Sequence, residues 1–409
     1  MVDALEREGR SMSINCELRS RRALCAVMGA LVVAVGATGC AGTSEGSASI
    51  GSESSAPAGV QMDQATSAKL DTAIAEAVRK TGVPGAIVGV WGPNGSYVRA
   101  TGTADTATGA PMKTDFYSRI GSVTKTFTAT ALLQLVDEGK VGLDDPISMY
   151  VDGVTEGDRI TLRHLAGMRS GLADYTYAEQ FSTDFLADPK GDFSPGQLVG
   201  YIKGEALHFE PGDRLEYSNT NFILLGMVVE KVSGDSMTNI IKAKILEPLG
   251  MKDTNFPTSN AFPEPHAQGY TTQTKDETLA VATDWNPSWG WAAGSMISTL
   301  DDLRTWAHAL YKGDLLDADT QRQRMQMLPA EGIDGVGYGL GVFDVQGWIG
   351  HNGSLPGYKS VVVYLPEKDL TMVILINSDI DTLDTGSSGV LATAVTEVIS
   401  PDHVYTLSG

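Results

Sequence analysis

The sequence predicts an α/β chain of the α+β type: an antiparallel sheet flanked by helices, with a second lobe that is mostly helical. Three observations predict it. The folded region opens with a helix pattern and a hairpin, helical and loop-rich sequence fills about residues 118–284, and strand-like runs with a last helix close the chain. Because strand patterns lie at both ends, we expect the two ends to build one sheet. A cleft between the two lobes is then the expected place for a functional site.

Each element follows from the spacing of apolar residues and from turn signals. Leu70, Ile74 and Val78 recur at helical spacing, and Gly82 ends that run. The turn at 93–95 joins strand patterns at 85–91 and 96–102. Later elements are predicted as strands at 338–343, 358–365 and 370–377 and a closing helix at about 390–399.

Size and charge limit the class of protein. The chain has 409 residues, 42% of them apolar, which is enough for two domains or one large composite. Its formal net charge is −20, from 30 basic and 50 acidic side chains. Such an acidic surface repels phosphate backbones, so we expect no nucleic-acid partner.

The N-terminus has the parts of an export signal, predicted over residues 1–39. A basic region containing Arg21 and Arg22 precedes an apolar stretch at 23–35, which is too short for a permanent membrane span. Small residues at 37–39 stand directly before Cys40, a pattern similar to a lipoprotein cleavage site. We therefore expect a lipid anchor on Cys40 and a location on the outer face of the cytoplasmic membrane; the alternative is ordinary secretion.

The remaining chain divides into a tether and one catalytic domain. Residues 40–61 are rich in Gly, Ser, Ala and Thr, which predicts a flexible linker. Residues 62–400 are predicted to form the domain, with an α/β lobe from about 62–117 and 285–400 and a helical lobe at about 118–284. No cysteine lies beyond Cys40, so the domain has no disulfide and no thiol nucleophile.

The first motif with chemical meaning is Ser122-Val123-Thr124-Lys125, which leads into an amphipathic helix pattern at 126–138. Ser122 is therefore predicted at a helix N-terminus, with Lys125 one turn later on the same face. A serine hydroxyl needs a neighbour that accepts its proton, and a buried lysine can do so. The positive end of the helix also favours an oxyanion. In isolation, the alternative is a serine N-cap beside a solvated lysine.

The second motif is Tyr217-Ser218-Asn219, before a helix pattern at 222–232. In extended backbone, residues two apart face the same way, so Tyr217 and Asn219 can point into one cleft. Tyrosine can pass a proton to a leaving group, and asparagine can bind a substrate amide. The alternative is a turn asparagine beside a packed tyrosine.

The third motif is His351-Asn352-Gly353-Ser354, just before the predicted strand at 358–365. The glycine allows a ligand to approach the strand edge. The backbone N–H of Ser354 could complete an oxyanion hole with that of Ser122. The alternative is a tight turn with an exposed histidine.

In this order, the three motifs resemble those of the serine penicillin-recognising enzymes, and most of all secreted D-alanyl-D-alanine carboxypeptidases and their class C β-lactamase and esterase relatives. The resemblance covers about residues 65–400 and implies the DD-peptidase/class C β-lactamase fold. It implies that Ser122 is the acylated nucleophile and that Lys125 and Tyr217 transfer protons. It further implies that Asn219 contacts a substrate amide, that His351 shapes the electrostatics of the cleft, and that no metal or other cofactor is needed.

Two departures from that family concern substrate recognition. The family has threonine in the middle of the third motif, where it binds a terminal carboxylate; Asn352 stands there instead. The upstream stretch 341–346 lacks the family's arginine, and its Asp344 would repel a carboxylate if it faced the cleft.

The resulting prediction is an exported serine hydrolase, first of all a D-alanyl-D-alanine carboxypeptidase acting on peptidoglycan peptides. The alternatives are an esterase or weak β-lactamase of the same fold, and a non-catalytic binding lipoprotein. Expected partners are a peptide or ester substrate, with β-lactams as a further class of ligand, and a membrane through the lipid anchor. The chain is expected to be a monomer.

Overall fold

The structure is a computed structural model that describes residues 60–331, 333–383 and 386–406. The predicted signal segment, Cys40 and nearly all of the predicted linker lie outside these residues. The helices are α1 Gln64–Thr81, α2 Thr124–Asp137, α3 Leu162–Ala166, α4 Glu179–Ala187, α5 Pro195–Gly200, α6 Asn219–Ser233, α7 Met237–Ile241, α8 Glu247–Leu249, α9 Trp291–Gly294, α10 Leu300–Lys312, α11 Ala318–Arg324 and α12 Gly386–Ile399. The strands are β1 Gly85–Gly92, β2 Gly95–Asp105, β3 Ala110–Pro111, β4 Ser118–Arg119, β5 Tyr270–Thr271, β6 Ala280–Val281, β7 Ile297–Ser298, β8 Leu328–Pro329, β9 Val336–Tyr338, β10 Phe343–Val345, β11 Trp348–Leu355, β12 Tyr358–Leu365 and β13 Leu370–Ile376.

One antiparallel sheet of nine strands joins the two ends of the chain. Its order is β3-β2-β1-β13-β12-β11-β10-β9-β8, so the N-terminal hairpin pairs with the last strand, Ala86 opposite Ile376. Strands β12 and β13 are buried along their whole length, as expected for the centre of a sheet covered on both faces. The predicted fold class is confirmed.

The sheet carries helices on both faces. On β12, Tyr364 contacts His308 and Tyr311 of α10. Lys359 lies five residues away, so it points to the opposite face, where its ammonium pairs with Asp381 just before α12. Helices α1 and α12 pack against each other on that second face.

The predicted strand at 338–343 is wrong. Two short strands, β9 and β10, occupy this stretch and pair antiparallel with each other, Tyr338 opposite Phe343. Between them the Gly339 N–H donates to the Val342 carbonyl at 2.8 Å, which reverses the chain. The apolar run was continuous, but its two glycines mark a turn rather than a strand interior.

Helices α2 and α6 form the centre of the helical lobe and pack against each other. The sequence predicts an amphipathic α2, and this is wrong: residues 124–133 are all buried, because α6, α7, α9 and α11 surround the helix. Its buried hydroxyls find acceptors within the fold; Thr126 donates to Val123 O at 2.7 Å and Thr128 to Ala292 O at 2.7 Å. The helix that carries the first motif is therefore held on nearly every side.

Within the described part of the chain, no helix combines the length and apolar character that crossing a bilayer requires. The first described residues already join the sheet, since Ser96 N–H donates to Val60 O and Met62 N–H to Ser96 O.

Candidate active site

Ser122 lies in a 3₁₀ turn, Gly121–Val123, that continues directly into α2. Strand β4 leads into this turn, and β7 fixes it from the other side: the Ile120 N–H donates to Met296 O at 3.0 Å. The serine is thus at the N-terminal end of a buried helix, where unpaired N–H groups and the helix dipole favour negative charge. Lys125 follows within the first turn of α2.

The Lys125 side chain is fully buried and contacts three acceptors at once. Its Nζ lies 2.9 Å from Ser122 Oγ, 2.8 Å from Asn219 Oδ1 and 2.7 Å from Ala293 O. An ammonium can donate to all three. A neutral amine has two N–H groups. If these donate hydrogen bonds to Asn219 Oδ1 and Ala293 O, the lone pair of the amine faces the Ser122 hydroxyl. The arrangement therefore suits a lysine that takes the serine proton.

The second motif lies against the same lysine. Asn219 is the first residue of α6, so only the backbone before it is extended. The ring centroid of Tyr217 lies 4.9 Å from Lys125 Nζ, and this ring stacks with Phe343. The structure thus brings together the Ser122, Lys125, Tyr217 and Asn219 side chains.

The third motif lies on strand β11. The alternative interpretation, a tight turn, is therefore wrong. Strand β12 pairs with β11 from Ile349 to Leu355, whereas β10 pairs only from Trp348 to Gly350. The second half of β11 therefore faces the turn that carries Ser122. Among the described residues, no strand pairs with this half of β11 on the side of β10, and an unpaired strand edge can pair with an extended substrate.

His351 is fully buried, so the alternative of an exposed histidine is wrong. Burial, with a smaller effect of the Lys125 charge, lowers the pKa of His351 to about 3, which leaves the imidazole neutral near pH 7. Its Nδ1 lies 2.5 Å from Asn352 O, which assigns the proton to Nδ1, and its Nε2 lies 3.4 Å from the Tyr338 hydroxyl. His351 therefore lines the site as an uncharged side chain and does not add a second positive charge beside Lys125.

Two glycines allow β11 to approach the serine turn. A methyl group added at Gly121, whose φ is +52°, would lie 2.5 Å from Ser354 N. One added at Gly353 would lie 2.0 Å from Ile120 O. The Ser354 amide is therefore beside the residue that precedes Ser122, where the sequence places the second donor of an oxyanion hole. Ser360 fixes the contact by donating to Ile120 O at 2.8 Å.

The acidic side chain in the stretch 341–346 points away from the Ser122 site. Phe343 on β10 contacts His351, with ring centroids 4.7 Å apart, so the next residue, Asp344, points to the other face. There its carboxylate accepts from Gly347 N–H at 2.8 Å. Asn352 is partly exposed on β11.

Two contributors to the site were not found from the sequence. One is the Ala293 carbonyl on α9; a main-chain acceptor has no side-chain signature. The other is Asp174, a buried carboxylate that accepts from both nitrogens of Asn219, at 3.0 and 2.8 Å. Its place depends on a contact across 45 residues, and no spacing rule predicts it.

In the described ranges, Glu367, Asp402 and His403 form one cluster with potential metal ligands. Asp402 pairs there with Lys368, and His403 Nε2 lies 3.0 Å from Glu367. Two of the three are exposed, which is the ordinary appearance of surface ion pairs.

Comparison with known proteins agrees with this geometry. Residues 70–391 match the Beta-lactamase family. Penicillin-binding protein 4* of Bacillus subtilis is 25% identical over 324 residues, which are 73% of this chain and 69% of that protein. D-aminopeptidase of Brucella anthropi is 30% identical over 303 residues, 72% of this chain but only 56% of the relative. Among solved structures, a D-stereospecific amidohydrolase from Streptomyces sp. superposes on this chain with a TM-score of 0.73 and has 30% sequence identity to it. The superposition covers 82% of this chain and 99% of the amidohydrolase. This chain therefore belongs to the β-lactamase family and is a serine hydrolase of the penicillin-recognising fold.

Proposed function

We propose that the chain hydrolyses amide bonds next to D-amino acid residues through an acyl-enzyme on Ser122, with peptides that end in D-alanyl-D-alanine as the first substrate class. The observation that carries the proposal is the triple contact of Lys125 Nζ with Ser122 Oγ, Asn219 Oδ1 and Ala293 O. Relatives named as a D-aminopeptidase and a D-stereospecific amidohydrolase support the choice of D-residues.

In the proposed reaction, Lys125 takes the Ser122 proton as Oγ attacks the substrate carbonyl. The backbone N–H groups of Ser122 and Ser354 then bind the oxyanion at the helix N-terminus. Tyr217, whose ring faces the lysine, passes the proton to the leaving amine as the carbon–nitrogen bond breaks. Water then hydrolyses the ester on Ser122 by the reverse sequence of proton transfers.

A second candidate is an amidase or aminopeptidase that does not read a terminal carboxylate, with ester hydrolysis as a side activity. Asn352 in place of threonine, and the absence of arginine from residues 341–346, favour it. The two candidates share the acylation chemistry and differ in the acyl group and in the leaving group that they bind.

A matched set of substrates separates these candidates. We expect release of D-alanine from an acylated Lys-D-Ala-D-Ala peptide and at least tenfold slower turnover of the same peptide ending in L-alanine. The C-terminal amide of the first peptide is the control for carboxylate reading. Faster turnover of that amide, or of D-phenylalanine amide, would select the second candidate. Hydrolysis of p-nitrophenyl acetate without any D-amide hydrolysis would contradict both and favour an esterase.

We also propose that the chain is exported and anchored through a lipid on Cys40. The support is the small residues before Cys40 and the short distance in sequence from Cys40 to Val60, where the described fold begins. In cells given a labelled fatty acid, the wild-type chain should carry the label and Cys40→Ser should not, because serine has no thiol to which the lipid can be attached. A wild-type chain without label would contradict the lipid anchor.

A further inference from the structure

Asp174 is a buried carboxylate that the reaction described above does not use. It lies in the loop before α4, is 7% exposed, and has four hydrogen-bond donors around it. Thr176 donates to Oδ1 from its N–H at 3.0 Å and from its hydroxyl at 2.9 Å. Asn219 donates to Oδ2 from its main-chain N–H at 3.0 Å and from its side-chain Nδ2 at 2.8 Å.

We infer that Asp174 is a positioning residue for acylation, which acts through Asn219 on Lys125. The inference rests on acylation of Ser122 but not on the choice of substrate.

The amide of Asn219 has a donor end and an acceptor end, and it can fit its place in two orientations. A carboxylate only accepts, so Asp174 fixes the Nδ2 end towards itself. The Oδ1 end then points to Lys125 Nζ, 2.8 Å away. In the flipped orientation two donors would meet at the lysine and two acceptors at the aspartate. Asp174 thus decides which end of the amide the lysine meets.

Asp174 also places a negative charge near the lysine. Burial raises the pKa of the Asp174 carboxyl, while the hydrogen bonds it accepts from the Asn219 N–H, the Thr176 N–H and the Thr176 hydroxyl, together with the Lys125 charge, oppose that rise. Three of the four donors are N–H groups, which cannot accept from a protonated carboxyl, so the geometry favours the ionised form. Among the described residues, the titratable side chains of Tyr217 and His351 also face Lys125, and the histidine is neutral.

The loop that carries Asp174 is fixed to the start of α6 by separate contacts. Thr220 and Ser218 donate from their hydroxyls to Ala173 O at 2.8 and 3.2 Å, and Tyr175 N–H donates to Thr220 Oγ1 at 3.1 Å. These bonds do not involve the Asp174 carboxylate. An isosteric Asp174→Asn variant should therefore keep the loop in place, remove the charge, and leave an acceptor oxygen on one side only, towards Asn219 or towards Thr176.

The test measures the acylation rate of Ser122 as a function of pH in wild type, Asp174→Asn, Asn219→Ala and the double variant. A fluorescent penicillin serves as the probe. We expect Asp174→Asn to acylate roughly 10²-fold more slowly, because a misplaced lysine loses its attack geometry. The acidic limb of its rate–pH profile should move to lower pH, because loss of a nearby negative charge favours the uncharged amine. On the pH plateau, where the charge state of Lys125 does not limit the rate, the double variant should be within about twofold of Asn219→Ala, since Asp174 orients the lysine through that amide.

Asp302→Asn is the matched control. Asp302 is also a buried carboxylate, accepting from Asp253 N–H at 2.8 Å and from Thr254 Oγ1 at 2.7 Å, and its neighbours are remote in sequence from all three motifs. It should keep the wild-type rate and pH profile. Asp174→Asn with an unshifted profile, or effects of Asp174→Asn and Asn219→Ala on the plateau rate that multiply, would overturn the inference.

Two further measurements test the inference if Asp174→Asn does not fold or if wild type does not react with the penicillin. If Asp174→Asn does not fold, Thr176→Val replaces it and should slow acylation about threefold to tenfold, because one bond that fixes the carboxylate is lost; a wild-type rate would overturn the inference. If wild type does not react with the probe, the first candidate function fails, because penicillin carries the carboxylate that the second candidate does not read, and a crystal structure of Asp174→Asn then tests the inference alone. Lys125 Nζ should leave hydrogen-bond distance of the Asn219 amide, and an unchanged contact would overturn it.

Discussion

Lys125→Met should lower the acylation rate of Ser122 roughly 10³- to 10⁴-fold, the size expected when a proton acceptor is removed. Methionine has a similar length and suits a fully buried position, so the chain should still fold. The physical reason is that Lys125 Nζ is the basic group in contact with Ser122 Oγ, at 2.9 Å. Rapid-quench labelling with a fluorescent penicillin measures the rate, and circular dichroism monitors the fold.

A surface lysine provides the control for this experiment. Lys231 is exposed on α6 and donates to Tyr150 O. Lys231→Met should therefore acylate at the wild-type rate. A folded Lys125→Met variant with more than about a tenth of the wild-type rate would show that another group accepts the serine proton.

Gly353→Ala should lower the acylation rate by about 10²-fold or more and destabilise the fold by about 1–3 kcal/mol. The added methyl group would lie 2.0 Å from Ile120 O and 2.7 Å from Ser360 Oγ. Because the carbonyl belongs to the backbone that leads into Ser122, strand β11 and the serine turn must separate. The Ser354 amide would then move away from the reacting carbonyl. Acylation kinetics and thermal unfolding measure the two effects.

Gly196 on α5 offers a matched glycine. A methyl group there meets no atom within 4 Å, and its backbone does not need a positive φ. Gly196→Ala should keep both the rate and the stability. If Gly353→Ala acylates like wild type, the close approach of β11 to the serine turn is not needed for oxyanion binding.

The parts of the site that the sequence predicts are those with local signals. Ser122 and Lys125 lie one helical turn apart, and the helix that follows them could be read from its apolar spacing. The hairpin of β1 and β2 and strands β12 and β13 follow from residue type and turn signals in the same way. The resemblance to a family then connects motifs that are far apart in sequence, and the sheet topology brings them together.

What the sequence did not predict depends on contacts between distant segments. The Ala293 carbonyl contacts a lysine 168 residues away, and any residue type could supply it. Asp344 would repel a carboxylate if it faced the site, but strand alternation directs it to the other face of the sheet. The burial of α2 on nearly all sides does not follow from its sequence, because threonine is a polar residue and only the fold shows that its hydroxyls have acceptors inside.

The acyl-enzyme on Ser122 is tested most directly by intact-mass spectrometry of the purified chain after a short incubation with benzylpenicillin and an acid quench. Wild type should gain the mass of one penicillin, and peptide mapping should place the adduct on Ser122. Ser122→Ala should gain nothing. An adduct that persists in Ser122→Ala, or hydrolysis of the drug by wild type with no adduct on Ser122 at any quench time, would contradict acylation at this serine.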